Sequence, residues 1–253
     1  MALVQNTSSC APDSPTNTGY TANSTVGKVT QVDDIELVIF DCDGVLIDSE
    51  GISAEVLITA LAQLGVTVNF DHFCTRFVGR SFPTVAEDIQ TLFDVQLPKN
   101  FEQDYRRELL DRFKTGLEVT PGVLGVIDRL RVPRCIATSS SPERVARSLE
   151  LTGLAPLFPG VVFTASQVAR GKPAPDLFQL AARDMGVDPA HCLVIEDSLP
   201  GIEAGVAAGM RVLRYTGGAH LRDRVLKHDQ ELGSFDNWAE LFLLLPELFD
   251  KAA

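Results

Sequence analysis

The stretch "IELVIFDCDGVLIDSE", residues 35–50, decides how the rest of the chain is read. Its first half is apolar at successive positions, as in a strand of a parallel sheet buried between helices on both faces. Asp41 and Asp43 follow with only Cys42 between them, then Gly44 and, further on, Asp48. Like charges that close repel, so something must hold them. Cys42 alternates away from its acidic neighbours and is expected to pack into the core.

Four later runs share the strand character: "RCIATSS" at 134–140, "GVVFTAS" at 160–166, "HCLVIED" at 191–197 and "MRVLRYT" at 210–216. Helical stretches separate them. In "SPERVARSLELTG", Ser141 is placed to cap and Pro142 to open a helix, and "APDLFQLAARDMG" ends on glycine. Alternating strand and helix signals predict a doubly wound, mainly parallel α/β sheet. Gly201, Gly205 and Gly209, spaced by four, predict a helix packed closely on that sheet, and Gly217 with Gly218 reads as a surface turn.

One segment does not alternate. Residues 50–118 show helical periodicity throughout, in the stripes Ile52, Val56, Leu57, Leu61, Leu64, then Val85, Ile89, Leu92, Phe93, then Phe101, Tyr105, Leu109, Phe113. This predicts a four-helix cap domain inserted between the first and second strands, leaving residues 35–49 and 119–253 as the sheet-bearing core. "VTPGV" at 119–123 is the expected return linker, and Asp48 and Ser49 are placed to cap the first inserted helix. Residues 1–34, rich in Ser, Thr, Asn and Gly, read as a mobile tail with neither the apolar region of a signal peptide nor the arginines of a transit peptide. The glycosylation-type matches at Asn6 and Asn23 are read as chance.

The net charge of −12, without a basic cluster, argues against a nucleic-acid partner. Five cysteines with no CxxC pair fit free thiols in a reducing compartment, so a cytoplasmic location is expected. "LFLLLPELF" at 241–249 is too short to span a bilayer, so no membrane partner is expected. A monomer or weak homodimer is the expected state.

Ligands of open α/β sheets bind outside the carboxyl ends of the strands. Those ends carry Asp41 and Asp43, Thr138 and Ser139, and Glu196 and Asp197, with Lys172 in "GKPAPD" shortly after the third strand. Four acids, hydroxyl groups and a lysine are thus predicted to converge on one rim.

Taken in order, "DCDGVLIDSE", "ATSS", "GKPAPDLF" and "IEDSLPGIEAG" resemble the four motifs of the haloacid dehalogenase-like hydrolase superfamily, in the branch with a helical cap after the first motif. The resemblance covers nearly everything after residue 34 and is closest to sugar-phosphate phosphatases such as those acting on 6-phosphogluconate. It implies a Rossmann-like core and Mg²⁺-dependent hydrolysis of a small phosphorylated metabolite, a sugar phosphate or phosphosugar acid, through an aspartyl-phosphate. Asp41 would be the nucleophile and Asp43 the acid and base. Thr138, Ser139 and Lys172 would hold the phosphoryl group. Asp41, Asp43 through its backbone carbonyl, Glu196 and Asp197 would hold the ion, a hard cation suited to carboxylate oxygens. Glu50, Arg76 and Arg80 are the expected substrate contacts.

The resemblance also implies departures from a β-phosphoglucomutase-like mutase. Where such an enzyme would carry a cap histidine, an arginine beyond the cap's glycine turn and a lysine after the second motif, this chain has Ser53, Phe82 and Ser141. The mutase is therefore the alternative enzyme. A receiver-like binding module, which also gathers acids, a hydroxyl and a lysine around a phospho-aspartate, is the alternative of another class. Its acidic pair precedes the acceptor aspartate, unlike the order here. None of the four histidines has metal-ligand spacing to another.

Overall fold

The computed structural model describes residues 34–222, 224 and 228–249. The expected tail, apart from Asp34, and the matches at Asn6 and Asn23 lie outside the described residues. Among the described residues, six parallel strands form one sheet, β1 (Leu37–Phe40), β2 (Arg134–Thr138), β3 (Val162–Thr164), β4 (Cys192–Glu196), β5 (Arg211–Tyr215) and β6 (Gly233–Phe235), in the order β3-β2-β1-β4-β5-β6. The chain leaves β1 toward β2 on one side and returns to β4 on the other, so the strand order reverses at β1 and β4. The crevice over their carboxyl ends is where such sheets bind ligands.

The unbroken apolar run of β1 is explained by two layers of helices. Val38 and Phe40 face α5 (Val123–Arg129), α6 (Pro142–Leu151) and α9 (Trp238–Leu244), whereas Leu37 and Ile39 face α7 (Asp176–Met185) and α8 (Leu199–Ala207). All four strand residues are fully buried, and each such side chain stabilises the fold by about 1.5–3 kcal/mol. Cys42 is buried in the first layer, as expected. The Trp238 indole donates to Thr120 Oγ1 at 3.0 Å and anchors α9 to the return segment.

Between β1 and β2 stand α1 (Glu50–Gln63), α2 (Phe70–Arg76), α3 (Phe82–Phe93) and α4 (Phe101–Gly116), packed about their own apolar cluster. The outgoing and returning segments run side by side: Asp48 N donates to the Glu118 carbonyl at 3.0 Å and Ile47 bridges Val119 antiparallel. Among the described residues no helix is long and apolar enough to cross a membrane.

Three expectations are corrected. Ser49 does occupy the position before α1, but with helical φ and ψ its hydroxyl makes no capping bond and turns to Asp43 instead. Asp48 lies one residue before that position, and its Oδ1 is buried without a hydrogen-bond partner. Gly218, read as part of a surface turn, is buried against His220 and the Gly44 carbonyl.

Candidate active site

Asp41 follows the last residue of β1 and is 5% exposed. Its partner is Lys172, whose Nζ donates to Asp41 Oδ1 at 2.6 Å, to Glu196 Oε1 at 2.8 Å and to the Ala137 carbonyl at 3.0 Å. Lys172 is buried, so the two carboxylates supply what water no longer does and hold its ammonium charged against the pull of burial. Burial raises the Asp41 carboxyl well above the usual range, and Lys172 only partly offsets this.

Oxygens of Asp41, Glu196 and Asp197, all buried, lie within 4.8 Å of one another. Three carboxylates against one lysine leave an excess of negative charge, and Asp197 Oδ2 is buried without a hydrogen bond. Such a set fits a hard divalent cation. Within it Glu196 is the most committed: Oε1 accepts from Lys172 and Oε2 from the Asp197 and Ser198 amides and the Ser198 hydroxyl. His220 Nε2 stands 2.9 Å from Asp197 Oδ2, out of line for a hydrogen bond. Burial lowers its imidazole's proton affinity, against the pull of Glu50. Gly44 is required here: its φ is +78°, and a Cβ would stand 1.9 Å from Asp197 Oδ2.

The Asp43 carboxylate is turned away from this cluster. Oδ1 accepts from Ser49 Oγ at 2.7 Å and Arg144 Nη2 at 2.6 Å, and Oδ2 from Ser140 Oγ at 2.6 Å and Thr138 Oγ1 at 3.5 Å. Burial alone would raise its pKa, but Arg144 and the Ser140 and Ser49 hydroxyls outweigh burial and hold it below the ordinary value. The repulsion between the two aspartates is thus relieved by separate cations, Lys172 for Asp41 and Arg144 for Asp43.

Thr138 is buried at the end of β2, and its Oγ1 also accepts from the Ser140 amide at 3.1 Å. The Ser139 hydroxyl reaches across to the insert and donates to the Gly79 carbonyl at 2.8 Å. A cavity of about 560 Å³ lies between sheet and insert, lined by Asp41, Asp43, Thr138, Glu50, Arg80 and Phe82 among others. Glu50 is buried, and burial first, then the charge of Asp43, pushes its carboxyl up to about 8. Arg80 pairs with Asp88 at 3.2 Å at the cavity wall, whereas Arg76 is exposed and does not line the cavity. Phe82 stacks on Tyr105 with ring centroids 5.2 Å apart.

Sequence reasoning missed Ser140, Arg144 and His220. Arg144 did leave a signal: a cation in the first turn of a helix opposes the dipole unless it faces an acid. His220 left none, because its spacing from Asp197 follows no ligand motif.

The family model described as haloacid dehalogenase-like hydrolase matches residues 35–209. The chain is 29% identical over 187 residues to the 6-phosphogluconate phosphatase of Escherichia coli K12, covering 74% of this chain and 85% of that protein. It is 31% identical over 202 residues to the probable pseudouridine-5'-phosphatase of Drosophila melanogaster, covering 76% and 84%. A solved hydrolase of the same family from Deinococcus radiodurans, with bound phosphate and sodium, matches with a TM-score of 0.66 and 30% identity over 87% of this chain and 99% of that one.

Proposed function

The chain belongs to the haloacid dehalogenase-like hydrolase family, and from that premise we propose that it is a phosphatase acting on a small phosphorylated metabolite through Asp41. The observation that carries this is the buried Lys172 bridging Asp41 and Glu196 beside Asp197, with Asp41 lining the cavity between sheet and insert. Asp41 Oδ1 is bound to Lys172, which leaves Oδ2 to attack phosphorus. The Asp41–phosphorus bond forms as the ester P–O bond breaks, and the leaving alkoxide takes a proton from Asp43. Asp43, then a carboxylate, accepts the proton of the water that attacks phosphorus and releases phosphate and Asp41. That proton leaves with the phosphate, because Arg144 and the Ser140 and Ser49 hydroxyls favour the Asp43 carboxylate, and Asp43 takes the proton it donates from the next incoming phosphate monoester. Thr138 lines the cavity beside the phosphoryl group, and Lys172, its three N–H groups taken by Asp41, Glu196 and the Ala137 carbonyl, supports the reaction as a buried cation behind Asp41.

Asp41 and Asp197, with Glu196 beside them, would hold Mg²⁺, which when bound would neutralise charge on carboxylate and phosphoryl oxygens. The helical insert serves as a cap. The cavity suits a sugar phosphate or phosphosugar acid, and the named relatives include a 6-phosphogluconate phosphatase and a hexitol phosphatase. Ser53, Phe82 and Ser141 at the three mutase-type positions favour hydrolysis over phosphoryl return to the sugar.

A screen of phosphorylated metabolites for phosphate release tests the reading. Release with Mg²⁺ and its loss in EDTA are expected; equal release in EDTA would refute the metal-dependent mechanism.

A further inference from the structure

We infer that Arg144 is a positioning residue for Asp43 and links the orientation of Asp43 to the seating of the helical insert on the sheet. The inference rests on the phosphatase reading. Arg144 belongs to α6, on the sheet side, yet two of its three side-chain partners come from the insert. Its Nη2 lies 2.6 Å from Asp43 Oδ1 and 3.1 Å from Ser53 Oγ of α1, and its guanidinium carbon lies 5.6 Å from the ring centroid of Phe113 of α4. Its Nε is buried without a hydrogen bond, so its own helix does not anchor the fork.

The Ser53 hydroxyl donates to the Ser49 carbonyl at 2.9 Å, which leaves its lone pairs facing Arg144. Ser49 in turn donates to the same Asp43 oxygen that Arg144 holds. Moving α1 and α4 off the sheet would strip Arg144 of Ser53 and Phe113, leaving Asp43 as its one remaining side-chain partner among these three and its fork free to swing with the Asp43 carboxylate. A seated insert therefore aims the Asp43 carboxylate through a core arginine, with Ser53 as the relay.

The test is a comparison of wild type, Arg144→Ala, Arg144→Lys, Ser53→Ala and the Ser53/Arg144 double alanine variant, using one phosphorylated metabolite that the wild type turns over with Mg²⁺. Arg144→Ala is expected to lower kcat by about 10²-fold while KM stays within about threefold. Arg144→Lys should regain part of the loss. Guanidinium ion added below denaturing concentration should restore rate to Arg144→Ala and none to Asp43→Asn. Ser53→Ala should cost less by itself and nothing further once Arg144 is gone. A raised KM with unchanged kcat would make Arg144 a substrate-binding group and overturn the proposal, as would additive losses without rescue. A wild type that releases no phosphate counts against the phosphatase reading. In that event melting temperatures of the same proteins decide the link: non-additive Ser53 and Arg144 effects support it, additive ones overturn it.

Discussion

Glu50 shows how an acid can be present at this site without being charged. It opens α1, is buried, and lines the same cavity as Asp43, so burial first and then the charge of Asp43 push its carboxyl from 4.5 up to about 8. Below the unfolded value both states hold the proton. Between about 4.5 and about 8 the unfolded chain has released it and the folded protein has not, so rising pH favours unfolding through this residue. Metal-free Glu50→Gln should therefore melt increasingly above the wild type between about pH 5 and about pH 8, and a difference independent of pH would remove Glu50 from this role. The arginines divide in a similar way. Arg80→Ala should change KM unequally among substrates because Arg80 lines the cavity, while exposed Arg76 should be silent; steady-state kinetics on a charged and an uncharged sugar phosphate separates them. At this scale Asp41, Lys172 and Asp197 were legible because carboxyl ends of strands are predictable places. His220 was not, since its partner lies across the fold and no local pattern names it, and Arg144 showed only as a cation misplaced in the first turn of its helix, with nothing local to name Asp43 as its partner.

At the scale of elements, α8 bears out the spacing of Gly201 and Gly205 but not of Gly209, which lies past the helix end with φ +78° and nothing within 4 Å of a would-be Cβ. A Cβ at Gly201 would stand 1.7 Å from Glu196 Oε1, and one at Gly205 2.6 Å from Val212 Cγ2, so the helix lies where only glycine lets it approach β4 and β5. Gly201→Ala should cost roughly 1–3 kcal/mol and displace the Glu196 carboxylate. Gly125, inside α5 with nothing within 4 Å of a would-be Cβ, should behave oppositely, Gly125→Ala adding about 0.5–1 kcal/mol. Urea unfolding of both variants checks the contrast, and equal effects would contradict it. Three of the four inserted helices, α1, α3 and α4, were legible as stripes because each must bury one face against the others, whereas α2, seven residues with only Phe73 buried, showed none. β6 was not: Gly233–Phe235 is three residues long with a single buried side chain, too short to show alternation. The apolar run at 241–249 was visible, but it divides into the end of α9 and a following turn at Pro246–Leu248, leaving Leu243 83% exposed.

For the whole molecule, the strand order accounts for the site. Placing β1 between β2 and β4 brings Asp41, Thr138 and Glu196 to one rim from distant parts of the sequence, and the segment after β3 carries Lys172 under them. That convergence could be read before the fold was seen, because alternating strands and helices leave few ways to wind a sheet. Substrate choice could not, since it depends on how the cavity between insert and sheet closes around a particular sugar. The central claim is that Asp41 itself takes the phosphoryl group. Borohydride quenching of the protein during turnover with Mg²⁺, followed by peptide mass spectrometry, tests it directly, because hydride reduces an acyl phosphate to an alcohol. Conversion of Asp41 to homoserine, dependent on substrate, is the predicted result. An unmodified Asp41 with the reduced residue elsewhere would contradict the account.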